Sequence, residues 1–360
     1  MLQQRIAALL VLGMVVCVVG ACSAPSAAEA PPAGPPPAGP PPVIALEAAA
    51  DAVENLPRAH SLLVSWRGER VLERYFNGTR AARLANIKSA SKSVISALVG
   101  VAVDRGLIAG IRQPISDFFP DLLGNADARK SAITIEDLLT MRSGLETTSN
   151  RNYGAWVMSR NWVRHILNRP LLDPPGTTME YSTGSTHLLS AILTRATGKS
   201  TWQFAQESIA KPLGFQLAQW PRDPQGIYFG GNDMLMTPRQ MLAFGELYLD
   251  HGRRDGQQVI PEGWVADSQV PRTQSRRESD RFYGYGWWIR ELAGHSAYYA
   301  WGYGGQFIFI VPDIDLVVVT TSSSIADDDR RDHRRTVYDI VERLIIAPVA
   351  SAVAWSTAGN

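Results

Sequence analysis

Ser89 is followed three residues later by Lys92, inside the run Asn86-Ile87-Lys88-Ser89-Ala90-Ser91-Lys92-Ser93-Val94-Ile95. A serine hydroxyl is a poor nucleophile near neutral pH and needs a base to take its proton. Residues three apart on a helix share a face, with Cβ atoms roughly 5–6 Å apart, so Lys92 can reach the Ser89 hydroxyl. Lysine acts as a base only when neutral, which requires burial or a neighbouring cation to lower its pKa. Val94, Ile95, Leu98, Val99 and Val101 recur at helical spacing and can supply the burial. Ser89 then stands at a helix N-terminus, where the dipole favours developing negative charge. A polar first turn that merely caps a helix is the plainer reading of the same residues.

The spacing alone is a weak signal, because Ser208-Ile209-Ala210-Lys211 repeats it. That copy runs into Pro212 at a helix end, with no strand leading into it, and reads as structural. Two further segments distinguish the first copy. Tyr181 lies in a loop just before an amphipathic helix, and a tyrosine hydroxyl bonded to a lysine can relay a proton to a leaving group. The run Trp301-Gly302-Tyr303-Gly304-Gly305 ends a strand on bare backbone N–H groups, as an oxyanion hole needs. A core tyrosine and a glycine-rich turn are the structural alternatives for these two.

These residues need a scaffold. Leu62–Trp66 and Arg70–Phe76 read as two strands about a turn at Arg67-Gly68-Glu69. The Ser89 segment is a helix that Gly106 stops. Helices are expected over Ile133–Leu139, with Thr134 as N-cap and Asp137 completing a capping box, and over Asn161–Leu167, His187–Thr197 and Pro238–His251. Strands return at Tyr285–Ile289, Ala297–Trp301, Phe307–Val311 and Leu316–Thr321, and a helix over Arg331–Ile346 closes the chain. The fold class is α/β in the broad sense (α+β): one antiparallel sheet built from both chain ends, flanked by helices, with an all-helical lobe inserted.

With 35 basic and 34 acidic residues the net charge is +1, which offers no electrostatic footprint for nucleic acid. Arg5 and the apolar run Ile6–Val19 read as a secretory signal over residues 1–21, too short for a membrane span. Val19-Gly20-Ala21-Cys22-Ser23 resembles a bacterial lipoprotein box, with Cys22 as the lipidated residue. The Pro/Ala/Gly-rich stretch that follows makes residues 22–43 a spacer between a membrane and a domain over 44–350, with 351–360 as a tail. The expected location is the cell envelope, on the periplasmic side or the cell surface. The other cysteine, Cys17, falls in the signal, so the domain forms no disulfide and is no thiol enzyme. The six histidines lie far apart without metal-ligand spacing, so neither a metal nor a cofactor is expected.

Together the three segments resemble the serine β-lactamase-related hydrolases: class C β-lactamases, D-Ala-D-Ala carboxypeptidases, esterases of the β-lactamase fold and 6-aminohexanoate-dimer hydrolases. The resemblance runs from about Leu62 to Ile346. It includes Ile133–Leu145 (ITIEDLLTMRSGL), Pro212–Phe215 (PLGF), Met234–Arg239 (MLMTPR) and Tyr283–Ile289 (YGYGWWI). It implies a β-lactamase/transpeptidase-like fold, Ser89 as acylated nucleophile, Lys92 as its base and Tyr181 as proton relay. The backbone N–H groups of Ser89 and Tyr303 would form the oxyanion hole. Tyr153, Trp301, Gly304 and Gly305 would line a substrate pocket, to which Trp156, Trp162, Trp287 and Trp288 are further candidates, although aromatics more often build cores.

Two departures bear on substrate. Tyr181-Ser182-Thr183 stands where β-lactamases of this type carry Y-x-N, and Tyr303-Gly304-Gly305 where they carry K-T-G. The missing lysine removes a cation that would meet a β-lactam or peptide carboxylate. The expected activity is therefore serine hydrolysis of a small ester or amide through an acyl-enzyme. The alternatives are a D-Ala-D-Ala peptidase or weak β-lactamase, and a non-catalytic envelope lipoprotein that keeps the fold.

Overall fold

A computed structural model describes residues 43–123 and 127–358. Cys22, the signal and most of the spacer lie outside the described residues. Helix α1 (Val43–Glu54) leads into β1 (Ala59–Trp66) and β2 (Glu69–Tyr75). Arg67 and Gly68 both take positive φ, 53° and 77°, the geometry whose twist matches two flanking antiparallel strands. A short β3 (Ala85–Asn86) precedes a 3-10 turn, Lys88–Ala90, and helix α2 (Ser91–Asp104). Helices then dominate until β4 (Leu235–Met236), which pairs with β3. A small hairpin, β5 (Arg253–Arg254) and β6 (Gln257–Gln258), follows. The chain returns through β7 (Thr273–Gln274), β8 (Phe282–Tyr283), β9 (Trp288–Leu292), β10 (His295–Gly302), β11 (Gln306–Val311) and β12 (Leu316–Ser322).

The sheet has eight strands in the order β2-β1-β12-β11-β10-β9-β8-β7, antiparallel throughout. First and last strands therefore pair directly, β1 on β12, which joins the two chain ends into one sheet. Alternate side chains divide between two cores, as the period of two in a strand requires. Leu63, Ile308, Ile310, Val317 and Val319 face α2 and the helix Pro238–Leu249. Leu62, Val64, Phe307, Phe309 and Val318 face α1 and the C-terminal helices. Both faces are covered, so β11 and β12 are buried at every position.

Several boundaries moved for reasons of tertiary contact. The strand expected over Tyr285–Ile289 starts at Trp288, because Gly286 (φ 81°) turns the chain against α2. A Cβ at Gly286 would lie 2.8 Å from Ser96 Cβ. Ser93 and Ser96 donate to the carbonyls of Gly286 and Tyr285, both at 2.7 Å, so two of the helix's serines pin this turn. The helix expected from His187 begins at Thr183. The residues assigned to a tail, up to Ala358, are helical: Arg330–Ile340 continues through a π-turn, Val341–Ile346, into Ala347–Ala358. Helix α1 was not foreseen either; its Leu46, Ala49 and Val53 bury against the same sheet face as Ile345 and Val349.

Candidate active site

Ser89 sits in the 3-10 turn, partly exposed, one step ahead of α2. Lys92, in the first turn of α2, is 2% exposed, and its Nζ lies 3.0 Å from Ser89 Oγ. Nζ also reaches the Gly231 carbonyl at 2.6 Å and Thr183 Oγ1 at 3.5 Å. All three neighbours are neutral oxygens, and among the described residues no carboxylate lies within ion-pair distance of Nζ. Burial without a counter-charge penalises the ammonium, and the lysine pKa falls to about 7.

Tyr181 is brought to the same place from the inserted lobe. The Lys92 ammonium lies 5.1 Å above its ring centroid, and the ring stacks on Trp288 at 5.5 Å. Burial raises the phenol pKa to about 12, with the nearby Ser89 hydroxyl acting in the opposite direction. The two titratable groups are thus pushed apart: Lys92 can lose its proton near neutral pH and Tyr181 keeps its own.

The loop that carries Tyr181 is fixed by hydroxyls from residues 147–149. Thr147 donates to the Tyr181 carbonyl at 2.7 Å. Ser149 Oγ accepts from the Thr183 N–H at 2.8 Å, and Thr148 Oγ1 accepts from the Gly184 N–H at 3.0 Å. These two N–H groups belong to the first turn of the helix Thr183–Thr197, so its end is capped by a distant segment. Ser182 stands at the N-cap, but its hydroxyl is engaged with Thr148 and makes no capping bond, and the helix starts four residues before the expected position.

The segment 231–233 is the part that sequence reasoning missed. The Gly231 carbonyl holds Lys92, and a Cβ there would stand 2.8 Å from the Thr183 carbonyl and 3.2 Å from Lys92 Nζ. Asp233 accepts from Lys88 Nζ at 2.8 Å and from Asn86 Nδ2 at 2.7 Å, while the Lys88 N–H donates to Asn86 Oδ1 at 3.0 Å. These bonds hold Lys88 at φ 49°, a left-handed conformation that costs about 1–2 kcal/mol for an L-residue. A Gly-Gly pair ahead of Asn-Asp was the available signal, but nothing local ties it to a helix some 140 residues away.

On the sheet side, a Cβ at Gly302 would stand 2.1 Å from the Ile87 carbonyl, so the end of β10 rests on the chain just before Ser89. Tyr303 follows, 39% exposed, with the Arg330 guanidinium 5.8 Å from its ring. Of the residues expected to line a pocket, Tyr153 is close by: its hydroxyl accepts from Asn232 Nδ2 at 2.8 Å. The other three have close neighbours of their own. Gly304 gives room to the Ser323 carbonyl, and Gly305 to His333 and Ser322. Trp301 lies parallel to Phe307 on the sheet face that carries the C-terminal helices, with Arg334 5.0 Å from its ring. Trp156, Trp162, Trp287 and Trp288 are buried in the two cores, Trp288 alone touching Tyr181.

The second Ser-x-x-Lys is structural in this geometry. Ser208 is buried and accepts from Arg105 at 3.0 Å, and Lys211 is exposed. His187 pairs with Asp223 at 3.1 Å inside the lobe, and no group of metal-ligating residues occurs among the described residues.

Residues 58–342 match the Beta-lactamase family. The chain belongs to that family. A curated relative, the 6-aminohexanoate-dimer hydrolase of Paenarthrobacter ureafaciens, is 25% identical over 284 residues, 70% of each chain. EstCE1, described as a hydrolase with promiscuous acyltransferase activity, superposes with a TM-score of 0.68 at 16% identity, covering 82% of this chain and 99% of its own. A class C β-lactamase from Rhodobacter sphaeroides superposes at 0.62 with 19% identity, covering 82% and 98%. The fold is thus β-lactamase/transpeptidase-like, as the sequence motifs implied, and the family is one of serine hydrolases.

Proposed function

We propose that this β-lactamase-family protein hydrolyses a small ester or amide through an acyl-enzyme on Ser89. The observation that carries the reading is the 3.0 Å contact between Ser89 Oγ and a buried, carboxylate-free Lys92 Nζ. Neutral Lys92 takes the hydroxyl proton as Oγ attacks the carbonyl carbon. The oxyanion forms beside the N–H groups of Ser89 and Tyr303. Tyr181 gives its proton to the leaving oxygen or nitrogen and is reprotonated from Lys92, which restores the neutral amine. Water then attacks the acyl-serine by the same route, releasing the acid and the free hydroxyl. The non-catalytic alternative leaves unexplained why a lysine is buried without a counter-charge beside a partly exposed serine. A screen of p-nitrophenyl esters, short amides and nitrocefin, with fluorophosphonate labelling, tests the reading; a protein inert to all of them overturns it.

Tyr181→Phe separates the two halves of the mechanism. On p-nitrophenyl esters the leaving group needs little protonation, so the loss should be within about tenfold. On amides the departing amine must be protonated, and the loss should approach the 10²–10⁴-fold value of general acid catalysis. Equal losses on both substrates would remove Tyr181 from the role.

The protein is further proposed to be an exported lipoprotein held by Cys22, since the box at Val19–Ser23 precedes a Pro/Ala/Gly spacer. Among the described residues no helix is long and apolar enough to cross a membrane. Cys22→Ser should move the protein from the membrane to the soluble fraction with turnover unchanged. Salt-resistant retention of the variant would show that another surface binds lipid.

A further inference from the structure

A cavity of about 310 Å³ lies between the start of β1, the end of β12 and the segment 79–86. His60, Arg80, Arg83, Asn86 and Ser324 are among its lining residues, and no aspartate or glutamate is. Both arginines reach solvent at the rim, and neither guanidinium has an ion pair or hydrogen bond among the described residues. Burial and the neighbouring Arg83 and Arg58 depress the His60 pKa, which leaves the two arginines as the charged groups of the lining. The larger cavity, about 480 Å³ beside Arg281 and the helix Arg330–Ile340, mixes its arginines with four carboxylates and shows no such bias.

This cavity adjoins the segment that leads into Ser89. Asn86 lines it and also bonds the Lys88 N–H, one residue before Ser89. Three Cα steps of 3.8 Å place Asn86 within about 11 Å of Ser89. Ser323, also on the wall, packs its carbonyl against Gly304, next to Tyr303. Lys88 and Lys92, the cations beside the nucleophile in sequence, are engaged: Lys88 by Asp233, and Lys92 by burial beside Ser89. Arg80 and Arg83 carry no such partner among the described residues.

Building on the serine-hydrolase reading above, we propose that this cavity is an anion subsite that receives a carboxylate carried by the substrate on a short flexible chain. A carboxylate fixed on a rigid ring next to the scissile bond cannot reach it, whereas one several methylenes away can. The Ser324 hydroxyl adds a donor suited to an oxyanion.

The test uses two matched ester pairs: p-nitrophenyl hydrogen glutarate with its methyl ester, and 5-(butyryloxy)pentanoate with its methyl ester. The first carries the charge on the acyl side and the second on the leaving side. Wild type should cleave the charged member of one pair with kcat/KM roughly tenfold or more above the neutral member, and the preference should shrink with added salt. Arg80→Gln/Arg83→Gln should bring that pair to parity while leaving the neutral esters unchanged, and Arg83→Lys should keep part of the preference. Parity in wild type for both pairs, or a preference that survives the double substitution, overturns the proposal. Arginine-dependent inhibition by free glutarate with both pairs at parity also overturns it, because the cavity would then take a free anion. Failure of wild type to cleave even the neutral esters counts against the hydrolase reading itself.

Discussion

Ser89→Ala should abolish ester and amide turnover, by on the order of 10⁴-fold or more, together with fluorophosphonate labelling. The hydroxyl is partly exposed on a 3-10 turn and its removal opens no core cavity. Lys92 keeps its bond to the Gly231 carbonyl, so the fold should lose no more than about 0.5 kcal/mol. Ser208→Ala provides the contrast. It strips a buried acceptor from Arg105 and should cost about 1 kcal/mol of stability, with turnover intact. Mass-spectrometric mapping of the probe adduct checks both at once. An adduct on Ser208, or on any residue other than Ser89, would overturn the assignment of the nucleophile.

Lys92→Met should be nearly as severe for catalysis and opposite in sign for stability. In wild type the base is the neutral amine, so the rate should fall on the acid side of an apparent pKa of about 7. The variant should lack that limb in whatever activity remains. The stability effect follows from linkage. An unfolded lysine holds its proton up to a pH of about 10.5, whereas the folded one releases it near 7, so between those values the unfolded state binds more protons. Wild-type stability should therefore rise from pH 7 towards 10, and the burial penalty is full below 7. Methionine fills similar volume with no charge to desolvate, so the variant should be more stable at neutral pH, on the order of several kcal/mol, and should lose the rise. Melting curves at several pH values measure this. A variant less stable than wild type at pH 7 would mean that the lysine is paired in a way the geometry does not show.

That opposition between stability and function suits an active site. A buried lysine facing only neutral oxygens is a poor way to build a core, and Lys88 at a positive φ beside it adds strain. The surrounding bonds, from Asp233 and Asn86 to Lys88 and from residues 147–149 to the Tyr181 loop, hold the arrangement in place. Hydroxyls and amides carry most of this work.

The sequence by itself determined the residue chemistry and the local elements. Ser89 and Lys92 were within reach of each other because residues three apart on a helical turn share a face, although the same spacing leaves Ser208 and Lys211 apart. The positive-φ turn at Arg67-Gly68, the capping box at Thr134 and Asp137, and the valine-rich β12 are equally local, each set by a few adjacent residues. The tertiary structure alone decided what surrounds the lysine. Gly231 and Thr183 reach Lys92 from segments far along the chain, and only their neutrality, combined with burial, sets its pKa. It also decided what Trp301, Gly304 and Gly305 pack against. Trp301 lies parallel to Phe307 and beside Trp288, which stacks on Tyr181, and the glycines' missing side chains make room for Ser323, Ser322 and His333. Spacing along a chain fixes contacts within a turn or a strand pair. The sign of a field or the side of a sheet depends on which distant segments close over a residue, and that is decided only when the two chain ends meet as β1 and β12.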